Sequence, residues 1–443
     1  MSGKYDLVVA GGTVATPSGL VQTDIAVRDG RVAALGDLAR ADSDLVFEAE
    51  GLHVLPGVID THIHSREPGL EQKEDLGTAT AAAALGGVTA VFDMPNTKPP
   101  IVDTDSFAAK WRAAKGRLWV DAAFYVGATP ANVNELPELE RLPGCAGVKI
   151  FMGSSTGNLL IDDDATLGRV LAQGMRRCSV HAEDEARLRE LRAALPEGAG
   201  VSAHPEARDV ETAVRATKRL LKLVHAAQRR VHLLHITTAE ELEILRERED
   251  GVSVEVTPTH LTLSAPEAYE RLGTRAQLNP PIRDERHREA LWRAVADGLI
   301  DCLGSDHAPH TLEEKSPAYP DAPSGMPGVQ TLVPVMLDHV NAGRLSLERF
   351  IDLTSAGPAR LFGIAGKGRI APGYDADFTL VDLKAVRAIT NQWIVSRCGW
   401  TPFDGMKVTG WPVGTIVRGR PVAREGELVG DPSGAPLRFL EGY

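Results

Sequence analysis

Short β-rich runs alternate with longer helical stretches through the middle of this 443-residue chain. The β-rich runs begin near Val58, Val88, Trp119, Gly147, Cys178, Val231, Val252 and Ile300. Between them lie stretches rich in Ala, Leu, Glu and Arg with apolar residues at helical spacing: 74–85, 105–114, 163–173, 208–228, 239–249 and 284–296. Parallel strands need crossover helices, and eight such units over about 250 residues close on themselves. The pattern predicts an α/β fold, a (β/α)8 TIM-type barrel, over residues 56–365. The stretch between the fifth and sixth strands has room for more than one helix.

Both chain ends have a different texture. Asp6–Ala10 and Gly11–Ala15 read as a strand with a turn, and Thr23–Arg28, Asp29-Gly30 and Arg31–Leu35 as a hairpin. Late in the chain, 368–382 and 413–422 alternate apolar and polar residues, punctuated by Gly and Pro. Pairing the two ends, 1–55 and 366–443, predicts a small β-sandwich beside the barrel. The stretch Asp431–Pro436 reads as an extended tail.

Composition narrows the function classes. An apolar fraction of 43% and a charged fraction of 24% are ordinary for a soluble globular enzyme. The net charge of −12 argues against a nucleic-acid partner, which would want a basic face. Cys145, Cys178, Cys302 and Cys398 are scattered, so neither a disulfide framework nor a zinc knuckle is indicated. The start, Met1-Ser-Gly-Lys-Tyr-Asp6, lacks the apolar core of a signal peptide. No apolar run approaches the ~20 residues that span a bilayer. The expectation is a cytoplasmic enzyme with a small-molecule substrate and no nucleic-acid or membrane partner. The barrel's outer helices could make it a homo-oligomer, a dimer or tetramer.

In such a barrel the C-terminal strand ends build the site. Strand one ends in Asp60-Thr61-His62-Ile63-His64-Ser65-Arg66. A strand repeats every two residues, so His62 and His64 share a face and could chelate one metal ion. Arg66 lies one further step along that face, placed to grip an anion. Taken alone, the motif also has a blander reading, a polar strand end with two solvated histidines. Strand five ends in His181, strand six in His235 and strand eight in Asp306. Singly, either histidine reads as a satisfied core residue, and Asp306 as a helix cap. His232 is out of phase with His235 and reads as structural. Lys149 sits inside the apolar strand Gly147-Val-Lys-Ile-Phe, where an unpaired ammonium is costly. Either a carboxylate pairs with it, or it loses its proton and adds carbon dioxide, giving a carbamate that could bridge two cations.

Together these residues resemble the amidohydrolase superfamily, in its binuclear cyclic-amidase branch. The opening Pro56-Gly-Val-Ile-Asp-Thr-His-Ile-His64, the strand lysine, the two later histidines and the late aspartate match in order. The resemblance implies two divalent cations, with zinc the expectation. His62, His64 and Asp306 would surround one, His181 and His235 the other, and carboxylated Lys149 would lie between them. Within the branch, His64-Ser-Arg66-Glu-Pro-Gly, Asp93-Met-Pro-Asn96-Thr, Leu278-Asn279-Pro-Pro-Ile-Arg and Ser305-Asp306-His-Ala-Pro-His310-Thr look like dihydroorotases. That likeness implies that Arg66, Asn96 and His310 hold a substrate carboxylate, with His64 beside it. Asn279 would hydrogen-bond the ring, though it could also be a turn or cap residue. Ser324 and Gly325 would lie over the ring, where the family often has an aromatic in place of Ser324. Asp306 would be the general base. The implied reaction is reversible hydrolysis of (S)-dihydroorotate to N-carbamoyl-L-aspartate, a step of pyrimidine (UMP) biosynthesis. Lysine at 149 suits the dihydroorotases that carry it, and equally allantoinases and hydantoinases, which remain alternatives. A metal-free scaffold relative is a further alternative, although such relatives typically lose ligands. His260 and His307 fall near the site without a role.

Overall fold

Backbone hydrogen bonding sorts the strands into two sheets in a computed structural model that describes residues 4–38, 41–154 and 159–440. The N-terminal strands are β1 (Tyr5–Thr16), β2 (Gly19–Arg28), β3 (Arg31–Gly36), β4 (Ser43–Glu48) and β5 (His53–Pro56). The barrel follows: β6 (Val58–Ile63), β7 (Val88–Asp93), β8 (Asp121–Gly127), β9 (Cys145–Phe151), β10 (Cys178–His181), β11 (Val231–Leu233), β12 (Val252–Val256) and β13 (Cys302–Leu303). These eight are parallel and lie in sequence order. The ring closes where Ile63 bridges His307 and the His64 amide donates to the His307 carbonyl at 2.7 Å. Every residue of β6 to β9 is buried, because a parallel sheet is covered on both faces.

Helices form the cover. Those at Leu76–Leu85, Thr104–Ala114, Asp164–Leu171, Val210–Ala227 and Glu285–Ala296 each start behind an aspartate, at 75, 103, 163, 209 and 284. Each carboxylate accepts an N–H of the first turn that has no partner inside the helix. Between β10 and β11 the chain makes three α-helices, Glu185–Ala193, His204–Ala207 and Val210–Ala227. Among the described residues, no helix is long and apolar enough to cross a membrane.

The chain returns as β14 (Phe378–Ala388), β15 (Lys407–Val417), β16 (Arg420–Arg424) and β17 (Glu427–Leu428). These join the N-terminal strands in one sheet of order β17-β16-β15-β14-β5-β1-β2-β3, with β4 beside β1. The seam is β14 against β5, antiparallel, with Thr379 opposite Leu55. Residues from both ends, including Leu7, Ile25, Phe47, Phe378 and Trp411, share one apolar core. The β2–β3 hairpin turns at Asp29 and Gly30, both left-handed (φ 53° and 71°), as a two-residue turn that follows the strand twist requires.

Two expectations need correcting. The turn expected at Gly11 is a bulge within one continuous strand. Gly11 takes φ 73°, and the register slips between Val9 and Gly12. A bulge bends the strand, so its first half pairs with β4 and its second with β5. The tail also docks: the Ala122 amide donates to the Ala435 carbonyl at 3.0 Å, and Leu437 is buried beside β8.

Gly57 joins the terminal sheet to the barrel, donating to the Asp377 carbonyl at 2.8 Å. A Cβ there would overlap Thr89 Oγ1 and stand 2.8 Å from Asp377 Cβ. We predict that Gly57→Ala lowers unfolding stability by about 1–3 kcal/mol in urea denaturation; unchanged stability would show that the junction yields.

Candidate functional site

His62 and His64, at the tip of β6, both aim Nε2 at Asp306 Oδ1, 3.2 Å from each. Asp306 follows β13 with a left-handed backbone (φ 47°). Across the mouth, His181 at the end of β10 sets its Nδ1 3.0 Å from Nε2 of His235, which follows β11. Ligand atoms of His62, His235 and Asp306 lie within 4.8 Å of one another, so the two groups adjoin. Lys149 of β9 lines the same pocket. Two donors at about 2.1 Å from a tetrahedral ion stand about 3.4 Å apart, close to both spacings.

The outer nitrogens explain the inner ones. His62 Nδ1 lies 2.8 Å from Glu255 Oε1, His64 Nδ1 2.8 Å from Asn96 Oδ1, and His181 Nε2 2.8 Å from Glu183 Oε2. These oxygens only accept, so each ring carries its proton outward and turns a lone pair inward. Burial keeps the rings neutral. It pushes His64 down to about 4, lowers His181, and lowers His235 well below the ordinary imidazole value. Burial alone would raise Glu183, but Arg208 and His181 hold it well below the usual carboxylate range. Asp306, held low by His62 and His64 against the effect of burial, faces two lone pairs. Acceptors converging without a proton between them call for a cation, and this donor set fits one.

Lys149 is 1% exposed, and burial lowers it to about 7. Its Nζ stands 4.5 Å from the Phe151 ring centroid. Among the described residues it forms no salt bridge, so the carboxylate pairing considered from sequence is not formed there.

Arg66 reaches the pocket by another route than the strand face. β6 stops at Ile63, and Arg66 takes a left-handed turn (φ 64°). Its guanidinium is 1% exposed, donates from Nε to the Pro309 carbonyl at 3.1 Å, and makes no salt bridge among the described residues. Asp306, Asp93, Glu314 and Glu74 act on it only from a distance, and a buried cation without a contacting carboxylate favours an anionic ligand. Asn279, Ser324 and Gly325 line the pocket. Asn279 Oδ1 accepts from His204 Nε2 at 3.1 Å, leaving its NH2 to donate. Asn96 and His310 stand one layer back, Asn96 on His64 and His310 Nε2 3.2 Å from an Arg66 nitrogen.

His260 is engaged by Thr257 Oγ1 (2.8 Å) and the Pro280 carbonyl (3.1 Å), and His307 pairs with Glu74 at 3.2 Å. His232 meets Ser253 Oγ at 2.8 Å. The partners Glu255, Glu183 and Arg208 escaped the sequence reading. Glu255 carried a usable signal: like Lys149, it is a charge inside an apolar strand, Val252-Ser-Val-Glu-Val.

Comparison with known proteins accords with this geometry. A family model described as the amidohydrolase family matches residues 53–422. A dihydroorotase of Methanosarcina acetivorans is 38% identical, covering 95% of this chain and 92% of its own. An allantoinase of Escherichia coli is 35% identical over 96% of this chain and 99% of its own. The solved structure of an L-hydantoinase (dihydropyrimidinase) from Arthrobacter aurescens superposes with a TM-score of 0.92 at 33% identity. It covers 98% of this chain and 100% of that one.

If Glu255 fixes the His62 tautomer, Glu255→Gln should keep the far-ultraviolet dichroism yet weaken divalent-metal retention at least tenfold, within the ~10–100-fold range for such partners. Competition with a chromophoric chelator measures this, and unaltered retention would remove Glu255 from the assembly.

Proposed function

The chain belongs to the amidohydrolase family and is a hydrolase of cyclic amides, and from that premise we propose that it is a dihydroorotase. Its reaction would be reversible hydrolysis of (S)-dihydroorotate to N-carbamoyl-L-aspartate. The observation that carries this is Arg66: a buried guanidinium at the pocket wall with no salt bridge among the described residues. Dihydroorotate has an exocyclic carboxylate; allantoin and simple hydantoins do not.

The proposed ligands are His62, His64 and Asp306 for one divalent cation, His181 and His235 for the other, and Lys149, as its carbamate, for both. Bound there, the cations, with zinc the expectation, supply an acidified water and a polarised amide carbonyl. Asp306 takes the proton of the attacking water and hands it to the departing ring nitrogen. Its Oδ1 lies 3.2 Å from both His62 and His64, at the centre of the proposed ligand set. Arg66 clamps the carboxylate through its planar fork, with Asn96 behind His64 and His310 behind Arg66 supporting that end. Asn279 donates to the ring, and Ser324 and Gly325 close over it. Gly325 has φ 139°, and a Cβ there would overlap the Ala308 carbonyl oxygen, so the loop packs against Ala308 only with glycine.

A hydantoinase or allantoinase is the second reading, favoured by the L-hydantoinase fold match and the allantoinase relative. Metal-reconstituted protein given dihydroorotate, carbamoyl-aspartate, allantoin and hydantoin separates the readings. We expect turnover of the first two to exceed the others; preference for allantoin or hydantoin would overturn the assignment. Arg66→Met should raise KM for dihydroorotate at least tenfold, the size of a lost charge-assisted contact of about 1.5–3 kcal/mol, with metal content unchanged. Asp306→Asn should fold but lose turnover, and full activity in it would remove the general base.

A further inference from the structure

His310 is 1% exposed, and each of its ring nitrogens has two competing partners. Nδ1 lies 3.2 Å from Lys73 Nζ, a donor, and 3.3 Å from Glu314 Oε2, an acceptor. Nε2 lies 3.2 Å from an Arg66 guanidinium nitrogen, a donor, and 3.1 Å from the Ser324 carbonyl, an acceptor. Burial and the Arg66 charge push the ring down to about 3, so it is neutral and carries one proton.

A neutral imidazole has one donor and one acceptor nitrogen, so only two arrangements are self-consistent. In the first, Nδ1–H donates to Glu314 and Nε2 accepts from Arg66. The guanidinium is then tied to the histidine, and the Ser324 carbonyl loses its donor. In the second, Lys73 donates to Nδ1 and Nε2–H points at the Ser324 carbonyl. Arg66 is then released toward the pocket, and the loop bearing Ser324 and Gly325 is held down.

We propose that Lys73 is a positioning residue for anion recognition: by donating to His310 Nδ1, it selects the tautomer whose Nε2–H holds the Ser324 carbonyl and so leaves the Arg66 guanidinium free to meet an anion. That tautomer releases the Arg66 guanidinium toward a substrate carboxylate, where the other ties it to the ring. Lys73 also sits 3.3 Å from Glu314 Oε1, so the carboxylate that competes for Nδ1 is itself paired with Lys73. Lys73 is set apart from the metal-ligand set and acts only through His310. The inference rests on the dihydroorotate reading for its consequence, while the tautomer can be observed without any substrate.

The test uses metal-loaded full-length protein, wild type, Lys73→Met and Lys73→Arg. Histidine-selective 15N labelling with two-bond 15N–1H correlation reads the tautomer, with the His310 signals identified by their loss in His310→Gln. We expect Nε2–H in the wild type, Nδ1–H in Lys73→Met, and restoration in Lys73→Arg. KM for dihydroorotate should rise about tenfold in Lys73→Met while kcat falls less than threefold. An unaltered tautomer in a folded Lys73→Met overturns the proposal, as does a loss confined to kcat. Absence of dihydroorotate turnover in the wild type would instead overturn the substrate assignment, with the tautomer spectra still deciding the role of Lys73.

Discussion

An amine taken out of water must lose its proton or gain a negative partner. Lys149 is placed in that position by the barrel itself, between Val148 and Ile150 on a strand buried along its whole length. No carboxylate pairs with it among the described residues, and burial brings it to about 7, where a neutral amine is plentiful at physiological pH. On the proposed reading, carbon dioxide resolves the burial by turning a cation into an anion with two oxygens. That anion in turn needs cations, and the cations need lone pairs. Glu255, Asn96 and Glu183 fix where three of those lone pairs point.

Such a chain of requirements works only if strand tips far apart in sequence stay in register. The ring is closed by the 2.7 Å hydrogen bond from the His64 amide to the His307 carbonyl, directly beside the ligands. His307 is held by Glu74, which also engages Ser396 from the C-terminal segment. Terminal sheet and barrel are joined again by Lys367, buried with Asp121 at 2.8 Å and in contact with Asp377. Buried pairs of this kind contribute little net stability but penalise any arrangement that separates them.

The barrel was legible because helical stretches recur between most of its strands, and because buried parallel strands read as apolar runs. The eighth strand was located by Ile300–Leu303, although only Cys302 and Leu303 pair as strand. Placement of His62 and His64 followed from period two, but extending that period to Arg66 misjudged the route. The strand stops at Ile63, and Arg66 arrives through a left-handed turn. Gly11 misled in a similar way, since a glycine that permits φ above zero serves a turn and a bulge equally. Glu255 meets His62 across 193 residues of chain, a pairing that no local pattern encodes. The tautomer set by that pairing was therefore invisible until the strands were assembled.

The central claim is that the burial of Lys149 is resolved by carbamate formation at a two-cation site. Reconstitution of the apoprotein with zinc and 13C-labelled bicarbonate, followed by 13C spectroscopy, tests it directly. The account predicts one carbamate carbon resonance in the wild type, absent from Lys149→Ala. A fully active wild-type enzyme without that resonance would contradict it.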